Sequence, residues 1–152
     1  MAKATGDAQV LKLLNRILEA ELAGVVRYTH YSLMVYGYNR IPIVAWLRDE
    51  AQTALGHAQK AGELITHLGE HPSLTIGPLL ETHKHDIGDI LREALEYERA
   101  ALTLYRELLE VVAGKHVMLE EYARGMVHDE ELHVGEVDKM LRKPGAIATS
   151  GA

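Results

Sequence analysis

Leu119, Ala123, Met126, Glu130, His133, Val137 and Met140 follow one another at alternating steps of four and three residues. That is the period of the buried face of an α-helix. Glu130 and His133 occupy two of those core positions, one turn apart, and form the only Glu-x-x-His in the chain. Burying a charge without a partner costs several kcal/mol. The rest of the chain must therefore bring something to this pair.

The same interruption recurs upstream. A first helix is expected over 7–36, with Asp7 as its N-cap and Gly37 as its stop. Its inward stripe is Val10, Leu14, Ile17, Glu21, Val25, Tyr28, Tyr31 and Val35, with Glu21 mid-way. A second helix is expected over 43–68, opened by Pro42 and closed by Gly69. Its stripe is Trp46 or Leu47, Glu50, Ala54, His57, Ala61, Leu64 and Leu68. A third, over 86–113, carries Ile87, Ile90, Ala94, Glu98, Leu102, Tyr105, Leu109 and Val112. The fourth, over 116–141, holds the opening series and stops before Pro144-Gly145. Residues 70–85, with Pro72, Gly77 and Pro78, read as a crossover. Residues 144–152 are small and polar and read as a disordered tail.

Helices of about 26–30 residues are about 40–45 Å long. Short first and third connections favour antiparallel neighbours, while the crossover is long enough to travel the length of the molecule. The expected fold is all-α: one domain over 1–152, an antiparallel four-helix bundle with one long crossover.

Glu21, His57, Glu98 and the Glu130/His133 pair each lie near the middle of a helix. In side-by-side helices of similar length they share one layer. The spacing agrees, with 36 residues from Glu21 to His57 and 35 from Glu98 to His133. The chain thus reads as two similar hairpins with an approximate internal twofold. Three carboxylates and two imidazoles together need compensation. Taken singly, each glutamate finds an alternative partner in Arg27, Arg99 or Arg124, and each histidine in an ordinary hydrogen bond. Taken together they suit a metal, which supplies the missing positive charge. The chain has no cysteine, which excludes disulfides and thiolate sites. Oxygen and imidazole donors favour iron or manganese, with zinc possible.

The net charge of −6 argues against nucleic acid as a partner. No apolar run approaches the roughly 20 residues of a membrane span, and the first residues lack a signal-peptide core. The expected location is cytoplasmic.

The stretches 14–22, Gly56-His57-Ala58, Leu95-Glu96-Tyr97-Glu98 and Asp129-Glu130-Glu131-Leu132-His133 resemble the ferritin-like superfamily. Within it, the chain is most similar to bacterioferritins and bacterioferritin-type (Dps-like) miniferritins. The resemblance covers residues 8–141 and implies a di-iron site. Glu21 and His57 would bind one iron, Glu98 and His133 the other, and Glu130 would bridge them. Tyr28 falls where the family has a tyrosine near the site. The implied function is binding and oxidation of Fe(II) by O2 or H2O2, with intracellular iron storage and detoxification. The implied assembly is a homo-oligomer, a dimer or a dodecameric shell, with a larger shell as the wider alternative.

Two positions depart from that pattern. The family has a second bridging Glu three residues before the first His, and here that residue is Ala54. Glu50 lies one turn earlier on a similar face. The haem-ligating Met of bacterioferritins is Leu55 here, so haem is not expected. Lys3 and Arg142-Lys143 are too few basic residues for a DNA-binding tail. Two further readings stand beside storage: a di-metal oxidase or peroxidase without storage, and a degenerate subunit that assembles but has lost catalysis.

Some residues read as playing no part in the site. His67 and His71 suit a solvated face, His83 and His85 an exposed crossover. His128 and Asp129 lie off the inward stripe. Tyr31, Tyr36, Tyr38, Tyr97 and Tyr122 suit packing or interfaces. The small residues of the second helix suit close helix packing.

Overall fold

The computed structural model describes residues 5–79 and 81–151. Lys3 and the last residue of the expected tail lie outside that range. Four helices account for most of the described chain: α1 (Thr5–Met34), α2 (Arg40–His67), α3 (Ile87–Val112) and α4 (Val117–Leu141). Asp7 falls inside the first turn of α1 rather than at its cap. An acidic side chain there still faces the unpaired N–H groups of the helix start. Asp86 caps α3, its carboxylate accepting a hydrogen bond from the Gly88 N–H at 3.0 Å. The His116 ring accepts from the Leu119 N–H at the start of α4.

Helix α1 packs on α2, α3 on α4, and α1 on α3. The α1–α2 contact uses the small residues of α2: Ala51, Ala54, Ala58 and Ala61 are all buried. Side chains this short let two helix backbones approach closely.

The crossover runs beside α1 in the same direction. The Ser73 N–H donates to Asn15 Oδ1 at 2.8 Å, and the Gly77 N–H to the Glu19 carbonyl at 2.8 Å. A Cβ at Gly77 would lie 3.1 Å from that carbonyl oxygen and 3.3 Å from the Ala20 Cα. Only glycine lets the strap lie so flat on the helix. Further along, the Thr82 N–H donates to Glu93 Oε1 of α3 at 2.9 Å.

The core has two apolar ends. One gathers Leu14, Ile17, Ile65, Leu108, Leu119 and Met126 from all four helices. The other is formed by Tyr28, Val35, Leu47, Ile90 and Tyr97, with Leu91, Leu95 and Val137 beside them. Fully burying one Leu or Ile is worth roughly 1.5–3 kcal/mol, so both ends hold firmly. The positions between them on each helix are Glu21, His57, Glu98 and Glu130/His133.

After α4 the chain turns back. Arg142 Nη1 donates to the Ile147 carbonyl at 2.7 Å, and the Ser150 N–H donates to Asp138 Oδ1 at 3.1 Å. This is the stretch whose composition suggested disorder. Among the described residues, no helix is long and apolar enough to cross a membrane.

Candidate metal centre

Glu21, Glu98 and Glu130 are 4%, 4% and 1% exposed. His57 and His133 are only slightly more accessible, with side chains 14% and 16% exposed. The five side chains meet in one layer. His57 Nδ1 lies 3.5 Å from Glu21 Oε1 and 3.1 Å from Glu130 Oε1. His133 Nδ1 lies 3.4 Å from Glu98 Oε2 and 3.7 Å from Glu130 Oε2. Each oxygen of Glu130 thus faces a different imidazole. Two ligand sets result, Glu21/His57/Glu130 and Glu98/Glu130/His133, each with donor atoms within 4.8 Å of one another.

Two tyrosines brace the layer from across the bundle. Tyr28 of α1 donates to Glu98 Oε1 on α3. Tyr105 of α3 donates to Glu21 Oε1 on α1 at 2.8 Å. Tyr28 follows Glu21 by seven residues, and Tyr105 follows Glu98 by seven. Seven residues are two helical turns, so each hydroxyl reaches the other hairpin's glutamate. This repeat was a usable signal for Tyr105, which sequence patterning treats as a core filler.

Tyr97 crosses between helices nearby. Its hydroxyl donates to the Ala20 carbonyl and passes Gly24. A Cβ at Gly24 would lie 3.1 Å from the Tyr97 ring carbon that bears the hydroxyl. It would also lie 3.3 Å from the Ala54 Cβ, so Ala54 is buried in a tight α1–α2 contact.

Glu50 is the main addition to the site. Its carboxylate meets His133 Nε2, the nitrogen facing away from Glu98 and Glu130. A carboxylate against the outer ring nitrogen favours the charged form of the His133 ring in the metal-free protein. Periodicity places Glu50 on the correct face of α2, but nothing local shows that it reaches α4.

The layer's carboxylates are opposed from within it, by the two imidazoles. Among the described residues, no arginine or lysine forms an ion pair with Glu21, Glu98 or Glu130. Arg27 stacks on Tyr97 at 4.7 Å and donates to the Tyr31 hydroxyl at 3.0 Å. Arg124 pairs with Glu120, and Arg99 is exposed.

Burial disfavours the charged form of both imidazoles, but carboxylates outweigh it. Glu130 and Glu21 lift His57 to about 10. Glu130, Glu50 and Glu98 lift His133 to about 12. Burial pushes the Glu98 carboxyl up to about 7 although His133 opposes it, and raises Glu21 against the pull of His57. Burial also works against ionised Glu130, yet His133 and His57 hold its carboxyl down at about 2. Protons on the imidazoles therefore supply the positive charge that a bound cation would replace. Glu130 Oε2 is buried and receives no hydrogen bond, which leaves a lone pair free for a cation. The donor set thus fits one or two oxygen- and nitrogen-loving metal ions.

Among the residues set aside, His67, His71, His83, His128 and Asp129 are exposed, as are Tyr36 and Tyr38. Tyr31 and Tyr97 are buried. His85 is only partly exposed and faces Glu81.

A four-helix bundle with a buried carboxylate–imidazole layer is the arrangement in which helical bundles build metal sites. The chain matches the model of the ferritin-like domain over residues 11–145. It belongs to the ferritin-like family. It is 29% identical over 148 residues to the bacterioferritins of Mycobacterium bovis and Mycobacterium tuberculosis, covering 90% of this chain and 86% of each relative. Among solved structures, a ferritin-like diiron-carboxylate protein of Bacillus anthracis superposes with a TM-score of 0.86 at 23% identity, over 92% of this chain and all of that one. The bacterioferritin of Rhodobacter capsulatus, described with a metal-free dinuclear site and haem iron, gives 0.81 at 26% identity, over 91% and 85%. A dodecameric thioferritin of Bacteroides fragilis gives 0.79 at 22% identity, over 88% and 84%.

Proposed function

We propose that this protein binds and oxidises Fe(II) and contributes to iron storage. The observation that supports this best is the placing of Glu130 between two imidazoles, one oxygen facing each. In this reading iron is the substrate. Glu21 and His57 hold one Fe(II), Glu98 and His133 the other, and Glu130 binds both.

Two Fe(II) ions give up two electrons, which with two protons reduce dioxygen to hydrogen peroxide. The protein's part is to place the ions and manage charge. Iron binding releases the protons held by His57 and His133. Tyr28 and Tyr105 keep the Glu98 and Glu21 carboxylates aimed inward. The apolar ends of the bundle exclude bulk water from the layer, which strengthens every interaction in it.

The reading includes a homo-oligomer in the cytoplasm. Val26, Leu33, Tyr36 and Ile41 stand exposed on and after α1, and a set of exposed large apolar side chains suits a protein–protein contact.

Ala54 favours a second reading, a subunit that assembles without catalysis, because no carboxylate occupies its place. An aerobic Fe(II) titration of metal-free protein separates the readings. Rapid oxidation of about two irons per chain followed by far larger uptake is expected for a storing ferroxidase. Saturation near two would leave an oxidase without storage. Oxidation no faster than in buffer would leave the assembling subunit.

A further inference from the structure

A second cluster of donors lies on the opposite face of α1. His30 follows Glu21 by nine residues. At about 100° per residue that is half a turn off the buried face, and about 13 Å further along the axis. The crossover passes here and presents Glu81 and His85.

His83, between them, has φ +58°, a left-handed conformation that is uncommon outside glycine. The bend folds this stretch back, and the His83 N–H donates to Glu81 Oε1. As a result Glu81 and His85 face each other without any helix. Glu81 Oε2 lies 3.0 Å from His30 Nε2, and Glu81 Oε1 lies 3.6 Å from His85 Nε2. All three donor atoms fall within 4.8 Å of one another. The His30 and His85 rings stand edge to face at 6.0 Å. His85 Nε2 is shielded from solvent and makes no hydrogen bond.

We infer that His30, Glu81 and His85 form a second divalent-cation site, independent of the buried layer, that ties the crossover to α1. Two imidazoles and one carboxylate form a donor set that takes zinc and similar borderline cations, with water completing the coordination. Donors about 2.0–2.1 Å from a tetrahedral ion lie about 3.3 Å apart. The two imidazoles lie 3.0 and 3.6 Å from different oxygens of Glu81, and one donor atom from each residue falls within 4.8 Å of the others, so a modest closing of the cluster brings it to that spacing. The site shares no ligand with the central layer. It also has a structural consequence: the described strap is held to α1 by Asn15 and Glu19 near its start and to α3 by Glu93 near its end, and a cation at Glu81 would add a second attachment to α1 at the far end.

The test is zinc binding to the metal-free full-length protein, by calorimetry and by elemental analysis after desalting. Wild type should bind one more Zn2+ per chain than His85→Ala or His30→Ala. Glu81→Gln, which keeps the shape but replaces one carboxylate oxygen with an NH2 and removes the charge, should lose the same equivalent. Zinc should slow proteolysis within 74–86 in wild type but not in the variants. The helix content by circular dichroism and the thermal unfolding of all three in chelator should match wild type, which shows that they are folded. Identical zinc stoichiometry and affinity in wild type and Glu81→Gln would overturn the inference. That result would leave the iron reading intact, and failure of iron oxidation would leave this site intact.

Discussion

The two hairpins of the bundle build the same half-site up to one residue. In α1–α2, Glu21 and His57 meet Glu130, and Tyr105 reaches in from the other hairpin. In α3–α4, Glu98 and His133 meet Glu130, and Tyr28 reaches in. The halves part at the residue three before each histidine. On α4 it is Glu130, the shared carboxylate; on α2 it is Ala54, packed near Gly24. The carboxylate available on α2 is Glu50, one turn earlier, and it turns to the outer nitrogen of His133. A donor that would sit between the ions is replaced by one that supports a single ligand from behind. The comparison teaches that a pseudo-symmetric layer can keep its geometry, through the crossed tyrosines, while its charge becomes lopsided.

The largest expected effect tests what the halves share. Glu130→Ala removes the one carboxylate that faces both imidazoles, and Fe(II) oxidation followed by stopped-flow absorbance should fall to the protein-free rate. If one iron per chain still oxidises quickly, the halves are independent. Glu50→Gln comes next. Loss of a carboxylate behind a ligating imidazole typically costs about 10–100-fold in metal affinity. The loss should fall on one of two binding steps, read by calorimetry, because among the described residues His133 is the one candidate ligand that pairs with Glu50. Equal weakening of both steps would mean that Glu50 serves the whole layer.

Restoring the symmetry should act in the opposite direction. Ala54→Glu is expected to speed oxidation and to tighten metal binding by at least about tenfold, the scale that losing even a group behind a ligand costs. Unchanged stoichiometry and rate would show that Ala54 is not the defect. The tight packing near Gly24 makes thermal stability the necessary companion measurement.

The pH response of the metal-free protein sharpens the same contrast. His57 and His133 are lifted above the ordinary 6.5, so their stabilisation is complete below that pH. It is lost as pH rises through about 10 for His57 and about 12 for His133. Glu98, pushed up to about 7 from 4.5, weakens the fold in the same direction as it ionises. The melting temperature in chelator should therefore fall between pH 6.5 and 10. Imidazole NMR should show His57 losing its proton before His133, and Glu50→Gln should narrow the gap. Bound metal should reverse the slope, because metal competes with those protons. A flat profile in chelator would mean that the imidazoles are neutral in the metal-free fold.

The smallest effect concerns the braces. Tyr28→Phe and Tyr105→Phe each remove one hydrogen bond to a buried carboxylate, worth about 1.5–3 kcal/mol. Equal losses in thermal unfolding are expected, and a clear inequality would break the twofold at the level of the tyrosines as well.

Much of the architecture was legible in the sequence because it is local. Core periodicity and mid-helix polar residues are written along single helices, and the Pro72–Pro78 breakers mark the crossover between them; the Asp7 cap, by contrast, was misplaced, because helix ends shift by a turn with their surroundings. Central residues such as Glu21, His57, Glu98, Glu130 and His133 could be named because one depth in an antiparallel bundle is a matter of counting. What only the tertiary structure decided depends on side chains from distant segments. Glu50 on α2 meets His133 on α4 across the bundle, a pairing that no local pattern encodes. The ring of Tyr97 takes the space at Gly24, and Glu93 is buried because Tyr31 and the crossover supply donors to it. His30 meets Glu81 and His85 only because the strap lies flat along α1 at Gly77 and bends at His83. Periodicity determines which face a residue takes; the partner across that face is set by where the other helices and the crossover come to rest.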